Sequence, residues 1–580
     1  MMIEIKPIYT IIVKELHKKL STKEITSVET FMKSVPKKYK ISPRKDLMTQ
    51  CYQSLIKDGI IEHNKLMDVY FVKLPIRSLS GVLVVTVVLR PDKFSCPYDC
   101  HYCPNETKAN GAEHDISRSY LSSEPAVMRG MEVDFDIYKQ FQIRVDMLRR
   151  NGHEIDKVEI IVLGGTFSTY PREYQAEAMR DLYYAANVYN AYESDGIRPR
   201  LSLKTEQEVN NETAKIKIIG ISLETRPDQI NKHELRRFRE YGCTRIQIGV
   251  QHTNNAILKI INRQHDVECS IKAIKLIKDF GFKLDGHIMP DLPGASPEID
   301  SEMMNQIFTT SKFNFDYLKI YPCLDVKYTE IRKWKETGKW KPYSEMNGGK
   351  QLVDLILHTK KYLIPKWIRV NRIQRDFPHE HVNNGHIGFQ SDTHKSNLRQ
   401  LIDDRMKKDG VKCKCIRCRE IKNNSYERRD VSMNCITYRA SDGIEKFISY
   451  DDNKNDKILG FIRLRFPGPS STTHFIQVLN NCALIRELHV YGTLRKVNDK
   501  GELSIPQHNG FGKQLLRKAE LLAYYNNYTK VAVISGTGVR NYYKKLGYYY
   551  EDTYMIKQLT FYKMFLNVLL LFMRVLGFIV

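Results

Sequence analysis

The chain has 580 residues, with 91 Lys and Arg against 67 Asp and Glu, a formal charge of +24. A field of that sign attracts phosphates and suits a polyanionic partner, although Lys, Asn, Ile and Tyr are abundant along the whole chain and give the same sign without any partner. Twelve cysteines are too few for a disulfide scaffold, and six of them lie in two tight clusters, which points to a reducing compartment and metal sites.

At the N-terminus charged and apolar residues are mixed from Glu4 onward, so no secretory signal is read there. Residues 1–80 read as a basic helical region. Lys37, Lys38, Lys40 and Arg44 with Tyr39 among them are a pattern suited to nucleic acid, since Lys and Arg meet phosphates. For any single charge an ordinary solvated face explains as much. An apolar strand at 82–89 then leads into Cys96-Pro-Tyr-Asp-Cys100-His-Tyr-Cys103. Pro97 and Pro104 make this stretch a loop. A cubane iron–sulfur cluster takes four ligands. Three thiolates leave one iron free to grip S-adenosylmethionine through its amino and carboxylate groups. Zinc also accepts short Cys spacings, but the elements that follow favour the cluster.

Those elements are short apolar runs at 158–163, 216–223, 245–250, 283–289, 315–321 and 367–373, separated by helical patterns at 137–150, 174–188, 269–280 and 350–363. β-branched runs alternating with helices predict a parallel sheet or barrel whose strands are buried on both faces. Chemistry in such barrels sits on the loops after the strands. The cysteine loop holds that position, as do Gly164-Gly165, Glu224-Thr225-Arg226, Gln251 and Pro290-Asp291-Leu292-Pro293-Gly294. Glycines at 164 and 165 let backbone approach a ligand; they equally suit a tight turn. Gly164, Gly165, Glu224 and Gln251 are candidate S-adenosylmethionine contacts. Residues 187–214 are polar without periodicity and predict an insertion loop.

Cys413, Cys415 and Cys418 form the second cluster, interspersed with Lys and Arg, and zinc is the expected occupant. A fourth ligand is sought among His379, His381, His386 and His394. The site falls between two domains, where a clamp is the natural role. Beyond residue 430, strands at 458–466 and 482–490 are followed by Gln507-His508-Asn509-Gly510-Phe511-Gly512 and a helix at 513–525. A Q-x-x-G-x-G loop opening a helix offers backbone N–H groups to a pyrophosphate. A strand at 531–534, then Asn541-Tyr542-Tyr543-Lys544-Lys545-Leu546-Gly547-Tyr548 and a final strand complete the order. That order resembles a Gcn5-related acetyltransferase, whose ligand is acetyl-CoA.

The two halves together resemble the catalytic subunit of the Elongator complex and its single-chain archaeal and bacterial relatives, from about Lys73 to Lys557. Besides the motifs above, the matches include Asp156-Lys157-Val158-Glu159, Leu223 to Asp228, Leu318 to Pro322, Arg372 to Asp376 and Arg486 to Gly492. The three-residue gap after Cys96 suits the microbial relatives, since eukaryotic members carry a longer loop there. The resemblance implies a partial (β/α)6 radical S-adenosylmethionine barrel at 81–375, a zinc-binding linker at 376–430 and a Gcn5-related domain at 431–558.

It also implies carboxymethylation of carbon 5 of the tRNA wobble uridine. The reduced cluster splits S-adenosylmethionine. The 5′-deoxyadenosyl radical takes a hydrogen from the acetyl methyl, the carbon radical adds to uridine, and the thioester is hydrolysed. Carried onto this sequence, Cys96, Cys100 and Cys103 hold the 4Fe–4S cluster, and Lys157 meets acetyl-CoA from the barrel side. Glu487, Leu488, His489 and Val490 line the acetyl-CoA groove, and Gly510, Phe511, Gly512 and Lys513 cradle its pyrophosphate. Tyr543 reaches the acetyl end with Tyr542 beside it. Lys157, Tyr542 and Tyr543 are thus the catalytic candidates. Accessory Elongator-type subunits or a second copy of the chain are the further partners implied.

Two expectations stand outside that pattern. Residues 559–580 are nearly all apolar, 22 in number, and about 20 span a bilayer. Arg574 inside them makes a span expensive. A membrane anchor holding a cytoplasmic body and a packed helix are both open. The competing function is lysine acetylation of a protein, which the acetyltransferase half alone would allow but which needs no electron donor.

Overall fold

In a computed structural model, residues 7–39, 41, 45–71, 82–94, 96–153, 155–189, 198–375, 398–422, 424, 426–469, 471, 475–492 and 510–559 are described. Four helices, Pro7–Ser21, Val28–Tyr39, Lys45–Lys57 and Lys65–Phe71, open the chain. Ile12, Val13, Leu16, Val35, Met48 and Met67 form their own fully buried core. Within the basic stretch, Lys38 and the Tyr39 hydroxyl both donate to Glu15, so these two groups serve helix packing. Lys40 and Arg44 lie outside the described residues.

The first sheet holds seven parallel strands in sequence order: β1 Leu83–Val88, β2 Lys157–Leu163, β3 Lys217–Thr225, β4 Cys243–Gln251, β5 Lys283–Ile288, β6 Tyr317–Ile320 and β7 Arg369–Arg372. Every strand read from the sequence is present, and the seventh extends the six-unit barrel that the resemblance implied. Among the described residues no strand joins β1 to β7, so the sheet does not close. Its outward residues are fully apolar and buried, as with Val158, Ile160 and Val162 of β2. The inward residues of β2 differ: Lys157, Glu159, Ile161 and Leu163 keep solvent contact. Burial on both faces, expected from the apolar runs, holds for β4, where only Gly249 keeps solvent contact, but not for β2.

Residues 187–214 depart from the expected loop. Leu203–Glu212 is a helix capped by Ser202. Its packed face is polar, with Glu206 and Asn210 fully buried; Asn210 bonds the backbone of Ile216 and Ile218. An amide and a carboxylate do the packing that apolar residues usually do, and the periodicity vanishes.

The second sheet contains β8 Val431–Ala440, β9 Gly443–Asp452, β10 Lys457–Phe466, β11 Cys482–Val490, β12 Lys530–Val533, β13 Tyr549–Glu551 and β14 Tyr554–Gln558, in the order 13-14-12-11-10-9-8. β8, β9 and the closing hairpin add to the elements read from sequence. β11 and β12 form the one parallel pair, over Cys482–Ile485. Helix Phe511–Tyr525 makes their crossover. Of the apolar tail only Leu559 is described; residues 560–580 lie outside. Among the described residues no helix is long and apolar enough to cross a membrane.

The two sheets are locked together by buried charge. Arg486 Nη1 of β11 donates to Asp316 Oδ1, just before β6, at 2.9 Å and to Glu445 Oε2 of β9 at 2.9 Å. Lys278 reaches Glu445 at 3.0 Å and Arg465 reaches Asp279 at 2.6 Å. Arg463 holds Glu487 at 2.8 Å, and the Tyr317 hydroxyl donates to the same carboxylate. Burial raises the Glu445 carboxyl, but Arg486, Lys278 and Arg465 outweigh it and hold it well below the usual range. Removing one member of such a set leaves its partners charged and dry. Arg486→Met is expected to cost about 3–5 kcal/mol of unfolding free energy, measured by urea denaturation.

Candidate active site

The cysteine loop leaves β1 and lies across the ends of β3 and β4. His101 N–H donates to Ile261 O at 3.0 Å, and Cys103 N–H closes a turn on Cys100 O at 2.9 Å. Two guanidiniums converge on Cys100 Sγ, Arg226 at 3.4 Å and Arg263 at 3.5 Å. Arg226 stacks on Tyr98 at 3.5 Å and pairs with Asp228 at 2.9 Å. Arg263 is fixed on Gly249 O at 2.6 Å. Burial raises the Cys100 thiol, but Arg263 and Arg226 overcome it and bring it below its ordinary value. Burial, with the Cys100 charge beside it, pushes Cys103 up to about 12. Arg118 and Arg375 face Cys103 as well. Cationic donors around thiols that must become thiolates are what an anionic thiolate-bound cluster requires. Sequence reading missed Arg263; its signal was an arginine in the loop after β4.

Gly164 and Gly165 N–H both donate to Glu224 Oε1, at 3.1 and 2.8 Å, and the Tyr120 hydroxyl joins them at 2.5 Å. Gly165 has φ +80°, and a Cβ there would stand 2.8 Å from Arg118 O, so only glycine fits beneath the cysteine loop's return. All three bonds fall on Oε1, which leaves Oε2 outside the set. Gln251 is at φ 68°, and its Oε1 is buried without a partner. An orphaned amide oxygen at a strand end is a place for a ligand N–H. The residues nominated for S-adenosylmethionine therefore do share one rim with the cysteine loop.

In the Pro290–Gly294 loop, Asp291 accepts from Tyr343 N–H at 2.8 Å and Ser344 N–H at 3.1 Å. Burial pushes its carboxyl up to about 7 against those bonds.

The acetyl-CoA candidates lie at the other end of the strands. Glu487 meets Tyr317, the first residue of β6. Lys157 is the first residue of β2, 3.7 Å from Asp156. Beyond Ile485, β11 continues to Val490 with β10 on one side and no β12 on the other. Its parted edge leaves backbone groups for an extended amide-bearing ligand. Glu487 itself turns into the inter-sheet network. Leu488, His489 and Val490 remain partly exposed. Gly510, at φ 77°, opens helix Phe511–Tyr525 beside that edge. The Phe511 ring packs on Tyr450 at 4.5 Å, so its N–H, with those of Gly512 and Lys513, is what faces outward as a helix N-terminus. A Cβ at Gly512 would stand 3.2 Å from the Tyr542 hydroxyl. Tyr543 is buried, edge-on to Tyr542 at 5.2 Å. Gln507, His508 and Asn509 lie outside the described residues. The structure thus divides the nominated residues into two sets, and the run of β2 from Lys157 to Leu163 puts about 20 Å between them.

Residues 94–300 match the Radical SAM superfamily and residues 315–408 the Radical_SAM C-terminal domain. The chain is 37% identical over 514 residues to a protein of Methanocaldococcus infernus named tRNA uridine(34) acetyltransferase, covering 87% of this chain and 91% of that one. It is 37% identical over 499 residues to Elongator complex protein 3 of Danio rerio, covering 84% and 85%. A solved structure of archaeal Methanocaldococcus infernus Elp3 with an N-terminal deletion superposes with a TM-score of 0.67 at 34% identity, over 83% of this chain and 100% of that one. The chain belongs to the Elongator complex protein 3 family. The radical S-adenosylmethionine half of this family carries a 4Fe–4S cluster and S-adenosylmethionine, and the rim around Cys100 fits both.

In this family member the second thiol cluster is built differently from the first. Among the described residues, Cys413, Cys415 and Cys418 are the one group of three ligand-type side chains whose atoms all lie within 4.8 Å of one another. Four thiolates on one zinc stand about 3.8 Å apart, whereas thiolates on different irons of a cubane stand wider. Hydrogen bonds from Cys413 and Cys418 hold the Cys415 thiol well below its ordinary value. The turn is stitched to both sheets: Ile416 N–H donates to Ile368 O at 3.0 Å and Ile421 N–H to Ile458 O at 3.2 Å. The four histidines weighed as a fourth ligand lie outside the described residues.

The raised Asp291 carboxyl gives a pH test. An ordinary aspartate titrates near 3.9, so between about pH 4 and 7 the native state holds a proton that the unfolded chain has lost. Stability then falls as pH rises through that window. Asp291→Asn is expected to flatten this part of the profile, read from urea midpoints at a series of pH values; an unchanged slope would show that another group sets it.

Proposed function

We propose that this chain modifies the wobble uridine of tRNA, placing an acetyl-derived carboxymethyl group on carbon 5. One observation supports the reading: the cysteine loop sits at the C-terminal ends of the barrel strands while Glu487 of the parted β11 reaches Tyr317 at the start of β6, so the two sets flank one sheet from opposite ends. A protein lysine acetyltransferase would need the second without the first.

Cys96, Cys100 and Cys103 would hold the cluster, which when bound supplies the electron that opens S-adenosylmethionine. Gly164, Gly165, Glu224 and Gln251 orient that cofactor at the strand ends. Leu488 to Val490 and the N–H groups of Phe511, Gly512 and Lys513 bind acetyl-CoA, and Tyr542 and Tyr543 cover its far end. Lys157 supplies a cation where the thioester enters the cleft. The inward curve of the sheet covers the reacting groups, as radical chemistry needs. The uridine leaves its stack to enter. The N-terminal helices and the positive field bind the tRNA backbone, so affinity falls with salt.

The three-thiol turn is assigned to zinc, acting as a clamp between the halves. Cys415→Ser should remove about one bound zinc per chain, measured on the purified protein by elemental analysis, and lower the thermal midpoint. Unchanged zinc content would place the metal elsewhere. For the main reading, the anaerobically reconstituted chain is given S-adenosylmethionine, acetyl-CoA and a tRNA with uridine at the wobble position. Formation of 5′-deoxyadenosine and modified uridine is expected, with Cys100→Ala reducing both to background. Peptide acetylation that survives Cys100→Ala, without tRNA modification by the intact chain, would favour the other activity.

A further inference from the structure

We propose that the middle of the concave face reads the uracil ring itself, with Lys319, Asp285 and Asn371 forming a donor–acceptor–donor row that accepts uracil and refuses cytosine. This rests on the uridine reading above and deepens it.

The row follows from strand register. On β5 the inward side chains are Lys283, Asp285 and His287. Asp285 stands beside Gln247 of β4 and Tyr317 of β6, and His287 beside Lys319. Lys319 Nζ donates to Gln247 Oε1 at 2.5 Å, and His287 Nε2 lies 3.3 Å from the same oxygen. Asn371 Nδ2, from β7, donates to Asp285 Oδ2 at 3.0 Å. Asp285 Oδ1 is buried and has no partner. A dry carboxylate oxygen left unpaired is costly unless something donates to it. Lys319 has one bond among the described residues and further protons to give. Burial raises the Asp285 carboxyl and Lys319 and Arg245 oppose the rise. Burial lowers Lys319 and His287, yet both keep partial solvent contact. Lys319 and His287 thus mark where solvent reaches the inner face, with Asp285 buried behind them.

The position suits a substrate that meets both chemistries. On one side Arg263, which touches Cys100, also faces His287. On the other Arg245, held by Glu159 at 2.6 Å, faces Asp285. Uracil's Watson–Crick edge is acceptor, N3–H donor, acceptor. It would take Asp285 Oδ1 at N3–H, with Lys319 and Asn371 at its carbonyl oxygens. Single-stranded bases are read on this edge. Cytosine puts a lone pair at N3 against the carboxylate and is repelled.

The test uses the full chain and two anticodon stem-loops that differ only in uridine or cytidine at the wobble position. Binding is measured by fluorescence without cofactors, and modification separately in the loaded enzyme. Wild type is expected to prefer uridine by about 10–100-fold, the worth of a hydrogen bond to a charged group. Asp285→Asn, which can present either N–H or C=O, should reduce that ratio severalfold or more. Lys319→Met should weaken uridine binding, with Lys319→Arg restoring part of it. Asn371→Ala, which leaves the carboxylate in place, should weaken the uridine stem-loop alone and serves if the Asp285 variant fails to fold. Wild type that modifies uridine, with both Asp285→Asn and Asn371→Ala keeping its base preference, overturns this proposal alone. Wild type that modifies no uridine overturns the functional reading and this one with it.

Discussion

The rest of the molecule depends on one buried set of charges between its two sheets. Lys278, Arg463, Arg465 and Arg486 face Asp279, Asp316, Glu445 and Glu487, four against four, each nearly free of solvent. Burying eight charges is expensive, and such a set is retained only where its geometry is good. Arg463 Nη1 and Arg486 Nε have no hydrogen bond, and a β-bulge brings the other groups within reach. Arg463 pairs with Glu487 and Leu464 with Ile485, so Arg486 is the extra residue on β11. Alternation breaks there, and two successive side chains reach the same interface. The strand with the parted edge is thereby fixed in orientation against the barrel, and domain rocking would expose unpaired charge.

That docking puts the acetyltransferase half under the N-terminal ends of the barrel strands, while the cysteine loop crowns their C-terminal ends. A closed barrel would fill the space between with side chains. Here, among the described residues, no strand joins β1 to β7, and the inward residues of β2, β4 and β5 include Lys157, Glu159, Arg245, Gln247, Asp285 and His287. Lys157, Glu159, His287 and Lys319 keep solvent contact, whereas Gln247 and Asp285 are buried.

Much of this was legible in the sequence. All seven barrel strands were, because their outward residues are β-branched and the helices between them strongly periodic. The cysteine loop and the Gly164-Gly165 turn were legible from spacing alone. The polarity of the inner face was not, since Lys157 and Glu159 read as the charged start of an apolar run. Nor was helix Leu203–Glu212, whose buried face is Glu206 and Asn210. Arg263 was passed over, and Arg226 was placed in its loop without a role, because an arginine carries no mark of what it will face. Lys157, Tyr542 and Tyr543 came from family resemblance, and by residue type alone they read as a solvated lysine and core aromatics.

The two cysteine clusters show how the same side chain is committed to different work. Cys413, Cys415 and Cys418 are drawn together by their own turn, bonded to β7 on one side and β10 on the other, with sulfurs serving as one another's nearest polar partners. A set drawn this tight fits a single metal ion. Cys96, Cys100 and Cys103 are spread along a loop, and the charge around them is supplied by guanidiniums from four different segments, Arg375 after β7 among them. Arg118 follows β1, Arg226 follows β3 and Arg263 follows β4, so the electrostatic environment of the loop exists only when those strands are assembled. A site that must accept an electron needs that arrangement: added negative charge is met by fixed cations already oriented toward it, with little reorganisation left to do at the moment of transfer.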